Sequence, residues 1–198
     1  SSSKKKVYTN ITFVDIAGLV KGASKGEGLG NKFLSHIREV DAIIHLVRCF
    51  ESDKITHVNS KINPIEDLET IKTEIILSDL DIIQKKLEKG KKKFLQEKEI
   101  EILEEKLNQL NDGKEIVVKD DFEKEFLSSL GLLSVKPKII VCNVDEESLA
   151  SGNAFTESVR KTYSNEKIVT ICADIEDQIM GLDNSERETF MKEIGLNK

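Results

Sequence analysis

An aspartate and a glycine at the end of an apolar run are the first residues in the sequence that could do chemistry. Asp15 and Gly18 stand three residues apart in the run Phe13-Val-Asp-Ile-Ala-Gly18. In enzymes that transfer phosphoryl groups, an aspartate at the end of a strand holds Mg²⁺ through water, and a glycine lets its backbone N–H approach the γ-phosphate. The spacing predicts this arrangement, and it is equally typical of an ordinary turn that ends a strand.

A glycine-rich segment follows directly and opens a helix. It begins at Lys21 and carries four glycines within nine residues, namely Gly22, Gly26, Gly28 and Gly30. Such a loop is mobile. A switch segment must become ordered with a bound triphosphate and relax after hydrolysis, so it needs this mobility next to the γ-phosphate. We therefore predict a switch loop that includes Lys21 and the four glycines; the alternative is a flexible surface loop.

A polar motif closes a later apolar run. Asn143 follows Ile139-Ile-Val-Cys, and Glu146 comes three residues on, with Val144 between them. This resembles the Asn-Lys-x-Asp motif with which GTPases recognise the base, except that Val144 replaces the lysine and Glu146 the aspartate. The usual aspartate accepts guanine N1–H and the 2-amino group; the longer glutamate shifts that carboxylate, and adenine has neither donor. The motif predicts a nucleotide-binding site that lacks the usual means of selecting guanine.

Four apolar, β-branched runs are predicted strands that position these residues. They are Val7–Ile16, Ala42–Val47, Lys138–Cys142 and Lys167–Cys172, with predicted helices at Asn31–Glu39, Ser148–Thr162 and Ser185–Ile194. The middle two strands are almost continuously apolar, which is typical of parallel strands covered on both faces. The alternation predicts an α/β fold with a doubly wound, mainly parallel sheet. Its last strand leads into Cys172 and Ala173, where GTPases place a backbone amide against the base.

A long helical segment interrupts this alternation between Pro64 and Leu110. Its apolar residues follow heptad spacing in two seams, Ile76, Leu80, Ile83 and Leu87, then Ile100, Leu103, Leu107 and Leu110. Gly90 and three lysines separate the seams, which predicts an inserted antiparallel α-helical coiled-coil hairpin, closed by Asn111–Gly113 and a short helix near Asp121–Leu130. We expect lysines to face glutamates across the turn: Lys85, Lys86 and Lys89 against Glu97, Glu99, Glu101, Glu104 and Glu105. The tip lysines Lys89, Lys91, Lys92 and Lys93 form either a solvated surface or a binding face.

Length and composition limit the remaining classes of protein. The chain has 198 residues, 38% hydrophobic and 33% charged, with a net charge of −6, as expected of a globular protein that folds without disulfides. No run is long enough to span a membrane and the first residues lack the apolar core of a signal peptide, so we expect the cytoplasm. The acidic balance argues against bulk binding of duplex DNA. Cys49, Cys142 and Cys172 lie in apolar runs and are predicted to be reduced and buried.

Taken together, these motifs resemble those of the YchF, or Obg-like ATPase, family of P-loop NTPases in the TRAFAC class. The stretch from Asp15 to Leu34 is highly specific for that family, and Val47–Phe50, Asn63-Pro64 and Asn143–Glu146 support the resemblance. The family carries a coiled-coil insertion within its NTPase domain. The resemblance implies binding of ATP in preference to GTP, hydrolysis with Mg²⁺, which Asp15 would hold through water, and association with ribosomes.

The resemblance also implies a catalytic histidine. Leu19 follows Gly18, at the position where GTPases carry the glutamine that orients the attacking water, and an apolar side chain cannot do this. In the family a histidine in a later loop substitutes, and the matching position is His57, whose imidazole suits proton chemistry near neutral pH. We therefore predict His57 and Gly18 as catalytic residues; the alternative for His57 is a solvent-exposed loop histidine. His45 is predicted to be hydrogen-bonded in the core, and His36 to lie on the helix after the switch loop.

The phosphate loop of such NTPases, G-x-x-x-x-G-K-[ST], does not occur in the sequence. In the family it lies upstream of the Asp-x-x-Gly motif, so we expect the chain to be N-terminally incomplete and to lack the family's C-terminal TGS domain. Residues 1–63 and 134–198 would then form a partial OBG-type G domain and residues 64–133 the insertion. Without the loop's N–H cradle and lysine, this chain alone is expected not to turn over ATP. Two other functions stay open: a ribosome- or RNA-binding coiled-coil module gated by nucleotide, and a conventional GTPase.

Overall fold

Helices and parallel strands alternate along the chain, with a long helical excursion in the middle. The computed structural model describes residues 9–15, 29–52, 62–90 and 95–193. The elements in chain order are α1 (Leu29–Arg38), β1 (Ile43–Arg48), α2 (Pro64–Gly90), α3 (Glu97–Asn111), α4 (Asp121–Ser129), β2 (Lys138–Asn143), α5 (Ala154–Thr162), β3 (Lys167–Ile171), α6 (Ala173–Met180) and α7 (Asn184–Glu193). No described helix has both the length and the apolar content to cross a membrane.

The three strands form one parallel sheet in the order β1-β2-β3. Leu46 pairs with Val141, which in turn pairs with Val169, and the last row joins Arg48, Asn143 and Ile171. All three strands therefore end at the same edge of the sheet. This confirms the α/β class, the parallel sheet and three of the four predicted strands.

The predicted first strand, Val7–Ile16, is wrong for the residues that the structure describes. Residues 9–15 contain no strand, and the side chains of Ile11 and Phe13 are 76% and 77% exposed. β-Branched residues favour an extended backbone, but a strand also requires a partner that supplies hydrogen bonds. None of the three described strands pairs with this segment.

One face of the sheet carries the main hydrophobic core. Val47, Ile140 and Cys142 pack there against Leu68 of α2 and Val159 of α5. On the opposite face, the side chains of Ile44, Leu46 and Val169 are 50%, 61% and 46% exposed. The prediction that the middle strands are covered on both faces is therefore wrong for β1, because no described element packs over its outer side chains. All three cysteines are buried and unpaired, as predicted.

Helices α2 and α3 pack on each other and on α4 through a second core. The buried residues include the predicted seam positions Ile76, Ile83, Leu87, Leu103 and Leu110. This packing agrees with a helical hairpin, and whether the two helices coil around each other stays a prediction. Two of the side chains expected to face each other across the turn have other partners: Lys85 bonds to Asp81 of its own helix at 2.6 Å. Glu105 instead binds Lys119 at 2.6 Å.

Helix α5 begins six residues later than predicted, at Ala154 rather than Ser148. Asn153 caps it by accepting a hydrogen bond from the Thr156 N–H at 3.0 Å, while Thr156 Oγ1 accepts one from the Asn153 N–H at 2.8 Å. Gly152, with φ of +75°, turns the chain just before this cap. The cap and the turn together fix the start of the helix.

Candidate functional site

The predicted base-binding residues meet at the carboxyl edge of the sheet. Asn143 ends β2, and its Oδ1 accepts a hydrogen bond from the Ala173 N–H at 3.0 Å. The Val144 N–H donates to the Ile171 carbonyl oxygen at 2.9 Å. The loops after β2 and β3, which are 30 residues apart in sequence, are thereby joined. Parallel α/β sheets place their ligands at this edge.

Helix α6 owes its start to this contact. Cys172 is the N-cap residue, but its side chain makes no capping hydrogen bond. Asn143 Oδ1 fills that role from another strand by accepting from Ala173, the first residue of the helix. The bond uses the oxygen of the Asn143 amide, and the amide nitrogen supplies the donors that a purine nitrogen can accept.

Two of the predicted nucleotide-binding residues do not present their side chains to a ligand. Val144 and Cys172 are 2% and 1% exposed and belong to the main core. Burying the apolar side chain of Val144 stabilises the fold more than lining a polar site would. The lysine of the usual motif would stay at the surface. Their contribution to the site is therefore limited to the backbone.

Glu146 is the exposed carboxylate of the motif, and it faces α6. Its Oε1 lies 3.4 Å from Nε2 of Gln178. The neighbouring carboxylate has a local role, since Asp145 Oδ1 accepts from the Ser148 N–H at 2.9 Å within its own turn. The pairing of Glu146 with Gln178 could not be expected from the sequence, since α6 itself was not predicted.

Two thiols stabilise the strand ends behind the site. A hydrogen bond with Cys142, together with burial, raises the pKa of Cys49 above its usual range, so the thiol stays protonated at neutral pH. The Cys49 N–H donates to the Asn143 carbonyl oxygen at 2.8 Å. Asn153 Nδ2 donates to the Cys49 carbonyl oxygen at 2.7 Å. The end of β1 is thus held on both sides, which favours a rigid rather than a reactive role for these cysteines.

The phosphate side of the predicted site is only partly described. Asp15 lies in an exposed segment without regular structure. Most of the other predicted residues, Gly18, Lys21, Gly22, Gly26, Gly28 and His57, lie outside the described residues. Gly30 lies in the first turn of α1, which begins at Leu29, so the predicted switch loop ends earlier than expected.

The surroundings of Asp15 fit Mg²⁺ better than a metal ion that needs several protein side chains as ligands. Within the described ranges, no cluster of three or more His, Cys, Asp or Glu side chains could hold a metal ion. Mg²⁺ needs no such cluster, since it keeps several waters and binds through one or two carboxylates and the substrate's phosphates. A single exposed carboxylate fits that pattern.

The histidines of the described part lie away from the base site. His36 is in the last turn of α1, as predicted. His45 lines a cavity of about 20 Å³ with Lys138, Glu115 and Tyr163. Burial and the nearby Lys138 lower the pKa of His45 to about 4, so the ring is neutral at neutral pH. Its Nε2 has no hydrogen-bond partner among the described residues, and the prediction of a hydrogen-bonded core histidine is wrong for that atom.

A buried carboxylate connects α2 to the segment before β2. Asp79 is fully buried and accepts hydrogen bonds from the Leu133 and Ser134 N–H groups at 2.9 and 2.8 Å. Lys136 in the same segment donates to the Arg38 and Val40 carbonyl oxygens at 3.0 and 2.6 Å, at the end of α1. These residues position α1 and α2 against the sheet. The sequence does not single out Asp79 for this role, because Ser78 and Asp81 are also polar residues of the same apolar stretch of α2.

Comparison with known proteins defines the class first. A sequence model described as "50S ribosome-binding GTPase" matches residues 2–80. The solved structure of the Schizosaccharomyces pombe YchF GTPase superposes with a TM-score of 0.76 and 28% identity, covering 90% of this chain and 52% of that one. With its parallel sheet and the Asn143 motif at the carboxyl edge, the chain has the fold of the P-loop NTPases.

Curated relatives then define the family. The ribosome-binding ATPase YchF of Bacillus subtilis is 42% identical over 98% of this chain, and that of Escherichia coli O157:H7 is 44% identical over 98%. The chain spans about half the length of these relatives, 56% of each. It belongs to the YchF family.

Proposed function

We propose that this chain forms the nucleotide-binding part of a cytoplasmic, ribosome-associated enzyme that hydrolyses ATP, and GTP less well. The observation that carries the proposal is the hydrogen bond between Asn143 and Ala173, because it joins the two loops that meet the base in GTPases. The relatives are named ribosome-binding ATPases, which supports both the nucleotide and the partner.

The phosphate side rests on the sequence motifs. Asp15 would hold Mg²⁺ through water, and Gly18 would offer its N–H to the γ-phosphate, next to the switch loop that begins at Lys21. When bound, Mg²⁺ neutralises charge on the phosphate oxygens. His57 would orient the attacking water in place of the glutamine of GTPases, since its imidazole can accept a hydrogen bond and a proton near neutral pH.

The residues proposed to bind the base favour ATP over GTP. Val144 is buried, so no lysine-like side chain lines the base. Glu146 replaces the shorter aspartate that binds the two guanine donors, and its carboxylate already has a partner in Gln178. A conventional GTPase is the weaker alternative on these grounds.

A nucleotide titration tests the proposal. We would titrate this chain, and a version that carries the family's phosphate loop in front of residue 1, with fluorescent ATP and GTP analogues in the presence of Mg²⁺. We expect only the extended version to bind, with ATP preferred, because the loop supplies the N–H cradle and lysine for the phosphates. Tight binding by the 198-residue chain alone would contradict the role given to Asp15 and Gly18.

The helical hairpin is proposed as the ribosome contact. Lys89, near the end of α2, is exposed, and Lys91, Lys92 and Lys93 follow it in the sequence, so the charge at this end is basic. Reversing Lys91, Lys92 and Lys93 to glutamate should weaken ribosome binding and its salt dependence in a co-sedimentation assay, because fewer phosphates are contacted. Reversing Lys114, Lys161 and Lys167, three exposed lysines outside the tip, is the matched control. Equal binding by the tip variant and the unsubstituted protein would exclude the tip as the contact.

A further inference from the structure

Gln178 is an unassigned residue next to the base motif. It lies on α6, five residues after Ala173, and its Nε2 is 3.4 Å from Glu146 Oε1. Both side chains are exposed at the carboxyl edge of the sheet. The contact therefore lies beside the Asn143 to Ala173 hydrogen bond that defines the base site.

The surroundings make Gln178 the partner of Glu146. The preceding residues of α6 include the acidic side chains Asp174, Glu176 and Asp177, none of which can donate to a carboxylate. Among the described residues, no lysine or arginine forms a salt bridge with Glu146. The amide of Gln178 is thus the side-chain donor that the structure gives to this carboxylate.

We propose that Gln178 is a specificity-determining residue, which with Glu146 reads the edge of adenine; this inference rests on the proposed nucleotide-binding function. The joined pair presents one free carboxylate oxygen as an acceptor and one remaining amide N–H as a donor. Adenine presents the complementary pattern, a 6-amino donor beside the N1 acceptor. A bidentate match of this kind is how amide side chains recognise adenine elsewhere.

The same pair disfavours guanine. Guanine carries an acceptor at position 6 and donors at N1 and the 2-amino group, which is the reverse pattern. A carboxylate binds the two guanine donors best with both of its oxygens, and Gln178 already occupies Oε1 of Glu146. Guanine must therefore share Oε1 with Gln178 or displace it, and a displaced amide loses its hydrogen bond.

The test measures the ratio of the GTP and ATP dissociation constants in the extended protein described above. Gln178→Ala and Gln178→Glu should each lower that ratio about tenfold, the usual value of one bidentate base contact. Gln84→Ala, an exposed glutamine on α2, is the matched control and should leave the ratio unchanged. Circular dichroism of each variant checks that the overall helix content is unchanged.

A swap of the two residues makes the test specific. The double variant Glu146→Gln with Gln178→Glu exchanges the positions of the donor and the acceptor, so it presents the pattern that guanine complements and should lower the ratio further than either Gln178 variant alone. An unchanged ratio in Gln178→Ala, with ATP still bound tightly by the unsubstituted protein, overturns this inference and leaves the proposed function intact. Binding of neither nucleotide by the unsubstituted extended protein overturns both.

Discussion

Asn143 serves the fold and the site with different atoms of one amide group. Its oxygen accepts from the Ala173 N–H and so begins α6, while in the proposed function its nitrogen would supply the donors for a base. An aspartate at this position would keep the acceptor and lose the donors. The two roles of the residue can therefore be separated by substitution.

Asn143→Asp should keep α6 and weaken ATP binding about tenfold, because a carboxylate still accepts from the helix N-terminus but cannot donate to the base. Asn143→Ala should lose about 1 kcal/mol of unfolding free energy as well, because the Ala173 N–H then has no acceptor. Nucleotide titration of the extended protein measures the loss of ATP binding, and urea unfolding measures the loss of stability. ATP binding by Asn143→Asp at the unsubstituted level would contradict the role of the amide donors.

Helix α2 links three regions of hydrophobic packing at the scale of secondary-structure elements. Leu68 packs in the main core of the sheet, Ile75 contacts the cluster of α1, and Ile83 lies in the core of the hairpin. The first turns of the predicted insertion therefore belong to the sheet core in packing terms. The domain boundary at residue 64 stays a prediction. It marks where the sequence pattern changes, whereas the packing of α2 continues across it into the sheet core.

Asp79 joins α2 to the segment before β2, and this junction should depend more on Asp79 than on its neighbour Asp81. Asp79→Asn replaces an acceptor of two backbone N–H groups with an amide that can accept only through one atom, so we expect a loss of about 2 kcal/mol in urea unfolding. Asp81→Asn, two residues away on the same helix, removes only an exposed pair with Lys85 and should cost about 0.5 kcal/mol or less. Equal losses in the two variants would show that the buried hydrogen bonds are not what holds the junction.

The elements differ in how well local sequence predicts them. The hairpin helices follow from heptad periodicity and β2 from its continuous apolar run, because their own side chains form the packed face. Helix α6 does not, because its cap comes from Asn143, thirty residues away. The first predicted strand fails for the related reason that apolar alternation does not supply a pairing partner. Within the site, the sequence predicts Asn143, Glu146 and Ala173, but not that Val144 turns into the core or that Gln178 meets Glu146.

For the whole molecule, His45 predicts how stability depends on pH. Burial and Lys138 lower its pKa to about 4 in the folded protein, against the opposing effect of Glu115, whereas the unfolded chain keeps the ordinary value near 6.5. Below pH 6.5 the unfolded state therefore binds a proton that the folded state does not. The unfolding free energy should fall from pH 6.5 to pH 4, by up to about 3 kcal/mol from this group, and level off below.

Replacing His45 tests this origin of the pH dependence. As the pH falls from 6.5 to 4, the unsubstituted chain should lose more unfolding free energy than His45→Gln does. His36→Gln, at the exposed end of α1, is the control and should follow the unsubstituted chain. Parallel curves for all three proteins would mean that His45 does not titrate differently on folding.

The position of the hairpin between two adjacent strands has a consequence for how the chain folds. β1 and β2 pair from Ile43 with Lys138 onward, so the sheet must close a loop of nearly a hundred residues, and closure entropy slows such distant pairing. The contacts between α2 and α3 lie within one local stretch of the chain, so we expect this pair of helices to form early. Once formed, they replace a long flexible loop by a short, stiff one, and β1 and β2 come together at its base. We therefore expect the hairpin, whatever it contacts when folded, to speed the pairing of β1 with β2.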